Sequence, residues 1–296
     1  MCRLFGLSGG PDPVSATFWL LEAPDSLATQ SHRDPDGTGL GAFLPDGTPY
    51  LAKQPLAAYA DHAFAHEART IRSRTFLAHI RYASTGAVAL QNTHPFEQRG
   101  RLFAHNGVIG EIDRLEQRLG QDRELVAGET DSERFFALIT HELETDGDVG
   151  AAIARAAGWI AANLPVFALN CVLITDSELW ALRYPAVHEL HVLERGRGAG
   201  AAAKGRQLHH RGSAGELRVH SQELAERPAV VVASEPMDDD PGWRPLAPGE
   251  LLHVDAELRV HRRVVLDDAP SRPLTLADLD PRAAASQQAL QGPARA

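Results

Sequence analysis

The chain opens Met1-Cys2-Arg3-Leu4-Phe5-Gly6-Leu7, and the reading of everything after it turns on this stretch. Loss of Met1 would leave a thiol and a free α-amine on one residue, a nucleophile carrying its own base. An α-amine titrates near ~7.7–8.0, so close to neutrality a useful fraction is unprotonated and can take the thiol proton, directly or through one water. With Met1 attached, the same nitrogen is an amide and cannot act as a base. Cys2 to Leu7 reads as a short first strand, ended by Pro11 and Pro13. The reactive pair is thereby expected at a strand's start.

Working outward, Val14 to Leu21 has helical spacing, and two Pro-Asp-Gly turns, at 35–37 and 45–47, flank a strand from Thr38 to Leu44. Ala58 to Arg69 is expected to be a helix. Thr75 to Tyr82 is apolar enough for a buried strand that delivers His79 and Arg81 at its end, and Leu102 to His105 is another. Thr130 with Glu133 forms a capping-box pattern ahead of an apolar helix face of Phe135, Phe136, Leu138, Ile139 and Leu143. Asp148 is placed to cap a second helix, which carries Ile153, Ala156, Ala157, Ile160 and Leu164 and stops at Pro165. Short strands follow at Val166 to Thr175, Leu179 to Tyr184, Leu190 to Leu193, Ala229 to Ser234, Leu251 to Val254 and Leu258 to Val265. Strands, a helix pair and more strands give an α+β layered fold. Residues 195–215, rich in Gly, Ala and basic side chains, read as an exposed loop, and residues 266–296 as a loose C-terminal tail without chemistry.

Composition narrows the function. The chain has 296 residues, 44% of them hydrophobic, and a net charge of −10 from 29 basic and 39 acidic residues. That balance argues against nucleic acid or an anionic membrane as the partner. No apolar run reaches a membrane span, and the N-terminus lacks the pattern of a secretory signal, so a cytoplasmic location is expected. Cys2 and Cys171 are too few for a disulfide framework or a cysteine-built zinc site. His62 and His66 lie four apart on a predicted helix without a second ligand pair, and Asp238-Asp239-Asp240 precedes a Pro-Gly turn, so no metal is expected. Gly196-Arg197-Gly198-Ala199-Gly200 fails dinucleotide spacing, and no cofactor is expected.

Four segments answer one another's chemical needs: Cys2; Ala78-His79-Ile80-Arg81-Tyr82-Ala83-Ser84-Thr85-Gly86; His105-Asn106-Gly107; and Gly128-Glu129-Thr130-Asp131. Together they resemble the class II glutamine amidotransferases, which are N-terminal nucleophile hydrolases. The resemblance spans Cys2 to Val254, and it implies a four-layer αββα sandwich and a family-type domain over residues 1–265. It also implies that Cys2 attacks a side-chain amide and that the Asn106 NH₂ and Gly107 N–H hold the resulting oxyanion. Preorganised donors of that kind are what a tetrahedral oxyanion requires. Arg81 and Asp131 are implied as the cation and anion that receive the carboxylate and ammonium of glutamine, a pairing suited to a free amino acid. Tyr82, Ser84, Thr85 and Gly86 complete the implied pocket. Asn92-Thr93-His94-Pro95-Phe96 resembles the family's mobile loop over the glutamine site, which adds His94 to the substrate contacts. Ser31 to Gly39 resembles the family's arginine-proline-aspartate-glycine turn, with Thr38 where many relatives have Trp. Ala233-Ser234-Glu235-Pro236 and Pro248-Gly249-Glu250-Leu251-Leu252 resemble closing strands.

The implied reaction is hydrolysis of the γ-amide of glutamine or of a γ-glutamyl compound through a Cys2 thioester. Glutamate is one product, and ammonia or an amine is the other. A stand-alone hydrolase, a glutaminase subunit feeding a separate synthetase, and a non-catalytic γ-glutamyl-binding module all stay open at this point, as does a homo-oligomer.

Overall fold

The computed structural model describes residues 2–82, 87–196, 210–212, 215–217 and 227–287. One sheet contains β1 (Arg3–Ser8), β2 (Gly37–Phe43), β3 (Pro49–Gln54), β4 (Thr75–Arg81), β9 (His191–Arg195), β12 (Ala229–Ala233) and β13 (Arg244–Pro245), in the order β13-β9-β12-β1-β4-β2-β3. The second contains β5 (Phe96–Gln98), β6 (Arg101–Ile109), β7 (Pro165–Ile174), β8 (Leu179–Leu182), β14 (Glu250–Val254) and β15 (Val260–Val264), in the order β15-β14-β8-β7-β6-β5. A short strand, β16 (Arg272–Pro273), adds to β7 in parallel.

Three apolar layers hold the sheets. Leu4, Leu77, Leu102, Ala104, Val172, Val232 and Leu252 meet between them. Alternation along each strand sends the other residues outward. Phe5, Leu40, Phe76, Ala78 and Val231 pack beneath Trp19, Leu27 and Phe64, which come from a π-turn at Phe18–Glu22, α1 (Leu27–Gln30) and α2 (His62–Thr70). On the far side, Phe103, Leu169 and Leu173 pack beneath α3 (Ile112–Leu119), α4 (Asp131–Leu143) and α5 (Val149–Asn163). The result is the αββα sandwich that the resemblance implies. No described helix is long and apolar enough to cross a membrane.

Local chemistry explains the element ends. Asp61 divides the helix expected over 58–69: its side chain accepts the N–H groups of Ala63 and Phe64, so α2 starts only at His62. Asp148 caps α5 as expected, accepting Ala151 N–H at 2.9 Å. Thr130 caps α4, but Glu133 turns its carboxylate to the N–H groups of Ala127 and Gly128 and not back to Thr130. The predicted reciprocal box is therefore only half formed. The helix expected over Val14 to Leu21 shrinks to the π-turn.

Two segment expectations are corrected. Within the loop expected over 195–215, β10 (His210–Gly212) pairs antiparallel with β11 (Gly215–Leu217), and residues 197–209 and 213–214 lie outside the described residues. Residues 266–287 are not a loose tail. Beyond β16, Leu274 and Leu279 pack on Val108, Phe167 and Ala168, and α6 (Pro281–Gln287) buries Ala283 and Gln287. Only side chains spaced along a chain without periodicity make these contacts, which is why composition alone read as a tail. Residues 288–296 lie outside the described residues.

The β6–β7 pairing sets the site's geometry. It places Asn106 opposite Asn170 and Gly107 opposite Leu169. A Cβ at Gly107 would stand 1.8 Å from the Ala168 carbonyl oxygen, a clash with backbone that no rotamer relieves. Gly107→Ala is expected to destabilise the protein by at least about 2 kcal/mol through forced separation of the two strands. Urea unfolding midpoints of the two proteins check this, and an unchanged midpoint would contradict the close packing.

Candidate active site

The site lies where the first strand begins. Register in the β1–β4 pair sets Arg3 opposite Ile80 and Leu4 opposite His79, so Cys2 comes level with the end of β4. There the Tyr82 N–H donates to Cys2 Sγ at 3.2 Å, and the thiol donates to the Tyr82 carbonyl at 3.4 Å. From the facing sheet, the Asn106 side chain donates Nδ2–H to the Cys2 carbonyl at 2.8 Å. Leu102 and Ala104 point between the sheets, and strand alternation gives Asn106 the same direction. Because its partner is a carbonyl, the amide nitrogen must face Cys2, which leaves Oδ1 inward and without a partner among the described residues.

Cys2 is buried, and burial pushes its thiol up; the Tyr82 backbone hydrogen bond works the other way. A thiol held in its protonated form needs a base before it can attack. The anchoring of β1 is equally specific. Arg3 bonds Glu235 at 2.9 Å and faces Asp34 at 3.7 Å, Arg33 bonds the same Glu235 oxygen at 2.9 Å, and Ser234 Oγ accepts the Leu4 N–H. The segments expected to be a turn and a closing strand thus clamp the chain start.

Arg81 is buried at the end of β4, opposite Gly37, with Nη1 donating to the Ala87 carbonyl at 3.1 Å. Burial is the main force lowering its guanidinium pKa, opposed by the charges of Cys2, Asp36 and Asp131. Asp131, in the first turn of α4, accepts the Ile109 N–H at 2.9 Å and so ties that helix to β6. Cys2, Arg81, Asn106 and Gly107 are therefore gathered at one end of the inter-sheet space, with Asp131 alongside. Tyr82 meets Cys2 through its backbone N–H and carbonyl. Ser84, Thr85 and Gly86 lie outside the described residues.

His94 is placed differently from a residue on an open loop. Its ring is buried, 4.2 Å from that of His79 and 4.6 Å from Phe96, and its carbonyl lies where a Cβ on Gly39 would be. Neither nitrogen of His79 or His94 has a hydrogen-bond partner among the described residues. Burial, then the Arg81 charge, brings His79 down to about 3, and burial foremost holds His94 well below the usual range. His105 is lowered as well, first by burial, while its ring bonds Ser132 at 3.0 Å and the Ala168 carbonyl at 3.1 Å.

Two features of the site were not singled out from sequence. Asn170, opposite Asn106, accepts the Tyr184 N–H at 2.9 Å and reaches the His188 carbonyl at 3.3 Å. A lone Asn inside the apolar run from Val166 to Ile174 was the available signal. Asn92 and Glu129 lock two loops together: the Asn92 side chain donates to the Glu129 carboxylate at 2.9 Å and accepts the Glu129 N–H at 2.8 Å. Spacing of 37 residues hides that pair from any sequence window. Among the described residues no group of three or more His, Cys, Asp or Glu could hold a metal ion.

The neutral histidines make stability depend on pH. An unfolded histidine titrates near ~6.5, but His79 in the fold titrates at about 3, so the unfolded chain binds the proton first. Stability contributed by His79 is full above ~6.5 and falls as pH drops toward 3. His79→Leu is expected to flatten this acid loss by up to about 2 kcal/mol between pH ~6.5 and ~5. Urea midpoints at those two pH values give the measurement; a variant that loses stability as steeply as the parent would refute the assignment.

Comparison with known proteins agrees with this geometry. The family model described as "Glutamine amidotransferases class-II" matches residues 1–265. The YafJ protein of Escherichia coli K12 is 28% identical over 260 residues, covering 84% of this chain and 96% of its own. The γ-glutamyl-hercynylcysteine sulfoxide hydrolase of Mycobacterium tuberculosis is 29% identical over 266 residues, covering 86% and 93%. A glutamine phosphoribosylpyrophosphate amidotransferase from B. subtilis superposes with a TM-score of 0.62 at 18% identity, a likeness of fold; 90% of this chain corresponds to 50% of that one. With a family model spanning nearly its whole length and the expected sandwich around Cys2, this chain belongs to the class II glutamine amidotransferases, enzymes of amidohydrolase type.

Proposed function

We propose that this protein is a stand-alone hydrolase of the γ-amide of glutamine or of a larger γ-glutamyl compound, acting through a thioester on Cys2. The observation that carries the reading is the meeting of Cys2 with the Asn106 amide, 2.8 Å away, at the end of β4 that bears Arg81. The lengths of the relatives support a stand-alone enzyme, since this chain corresponds to 96% and 93% of the two described above. The activity named for the second relative, hydrolysis of γ-glutamyl-hercynylcysteine sulfoxide, supports a γ-glutamyl substrate.

In this reading Met1 is removed, and the freed α-amine of Cys2 takes the thiol proton. The thiolate attacks the amide carbon. Asn106 has two N–H donors, of which one is on the Cys2 carbonyl, so the other is free to meet the oxyanion together with the Gly107 N–H. Arg81 receives the α-carboxylate and Asp131 the α-ammonium. As the tetrahedral species collapses, the ammonium of Cys2 returns its proton to the departing nitrogen, which leaves as ammonia or an amine. Water activated by the same amine then opens the thioester and releases glutamate.

Intact-mass analysis of the untagged protein, before and after an electrophilic glutamine analogue, tests the reading. Loss of Met1 and one adduct on Cys2 are expected; a chain that keeps Met1 yet hydrolyses at full rate would overturn it. Asn106→Ala is expected to slow acylation by the folded protein ~10²–10³-fold, the usual cost of one oxyanion donor. A loss below threefold would remove Asn106 from that role. Ammonia release that begins only when a separate synthetase is added would instead favour a glutaminase subunit.

A further inference from the structure

The segment after β15 crosses from one sheet to the other at the end of the cleft that holds Cys2. It begins on the second sheet, where β16 pairs with β7 and the Leu274 N–H donates to the Val166 carbonyl at 2.8 Å. Leu274 and Leu279 cover Val108 and Ala168, the positions beyond Asn106 and Asn170 on their strands. α6 then reaches the first sheet, where Arg282 stands 3.6 Å from Asp36. At the other end of α6, Gln287 is 2% exposed and its Oε1 is 3.0 Å from His188 Nε2. The strap is thus fixed on an apolar patch, a buried hydrogen bond and an ion pair.

The ion pair bears on Arg81. The Asp36 N–H donates to the Arg81 carbonyl at 3.1 Å, and the next residue, Gly37, is its strand partner. The Asp36 carboxylate attracts the Arg81 guanidinium while Arg282 repels it, so Asp36 is shared by two cations. A carboxylate arriving at Arg81 competes with Asp36 for the same charge.

We propose that Arg282 is a positioning residue for substrate: by drawing the Asp36 carboxylate to itself, it leaves more of the Arg81 charge for the α-carboxylate of a γ-glutamyl group. This rests on Arg81 as the carboxylate-binding cation, as proposed above. Without Arg282, Asp36 turns to Arg81 and repels the incoming anion. The side chains of Arg282 and Asp36 are 58% and 26% exposed, so solvent screens the effect and its size is modest.

The test uses the full-length chain and reads protection of Cys2 against alkylation by iodoacetamide. L-glutamate and its α-amide, isoglutamine, are compared as protecting ligands; they differ only at the group that Arg81 would receive. Arg282→Ala is expected to weaken protection by glutamate roughly threefold, with isoglutamine and the unprotected alkylation rate unchanged. Adding Asp36→Asn to Arg282→Ala is expected to restore protection by glutamate. Equal weakening for both ligands, no weakening, or no restoration in the double variant overturns the role of Arg282. A parent protein protected equally well by both ligands removes the Arg81 assignment and this proposal with it. Discrimination that persists unchanged in Arg282→Ala overturns the role of Arg282 alone.

Discussion

The hydrogen bond from Asn106 to the Cys2 carbonyl joins the two sheets at their chemically important end. It can form only because β1 lies inside its sheet, between β12 and β4, with its start opposite β6. Apolar contact between the sheets has no direction and would tolerate small slides. A directed polar bond from a buried amide does not, since losing it would strand two buried polar groups at a cost of about 1–3 kcal/mol each. The Arg3, Arg33, Asp34 and Glu235 cluster reinforces that placement from the other side. Scaffold and site are therefore fixed by the same short stretch of backbone.

The electrostatic setting is one of restraint. Cys2, His79, His94 and His105 all sit where burial disfavours their charged forms. That leaves Arg81 as the principal positive charge at the end of β4, balanced by Asp36 and Asp131. Neutral buried rings beside Arg81 leave its charge to attract an anion, and burial keeps the thiol protonated until a base acts. The strap from β16 to α6 extends this arrangement, because it brings a second guanidinium to Asp36. A segment whose composition suggests no structure thereby helps to set the charge around the site.

Much of the fold is legible because strand and helix periodicity report local burial. The runs at Cys2 to Leu7, Thr75 to Tyr82 and Val166 to Thr175 became β1, β4 and β7 with end shifts of at most one residue. The misreadings have local causes. Asp61 offered its carboxylate to two N–H groups and reset a helix start, and Glu133 took the N–H groups of Ala127 and Gly128. The strap escaped notice because its anchors, Leu274, Leu279, Arg282 and Gln287, follow no period and find their partners more than 90 residues away in the chain.

By itself the sequence determined the residue types: a cysteine next to the initiator, an Asn-Gly after an apolar strand, an Arg at another strand's end, an Asp opening a helix. Chemistry limits what such a set can do, and together the motifs resemble the class II glutamine amidotransferases. Tertiary structure alone decided which atoms face each other: Asn106 on the Cys2 carbonyl, Asn170 beside Asn106, His94 against His79, Arg282 at Asp36. The reason is physical. Periodicity encodes which face of an element is buried, whereas the register and packing of strands distant in the chain are fixed only when the sheets close on a common core.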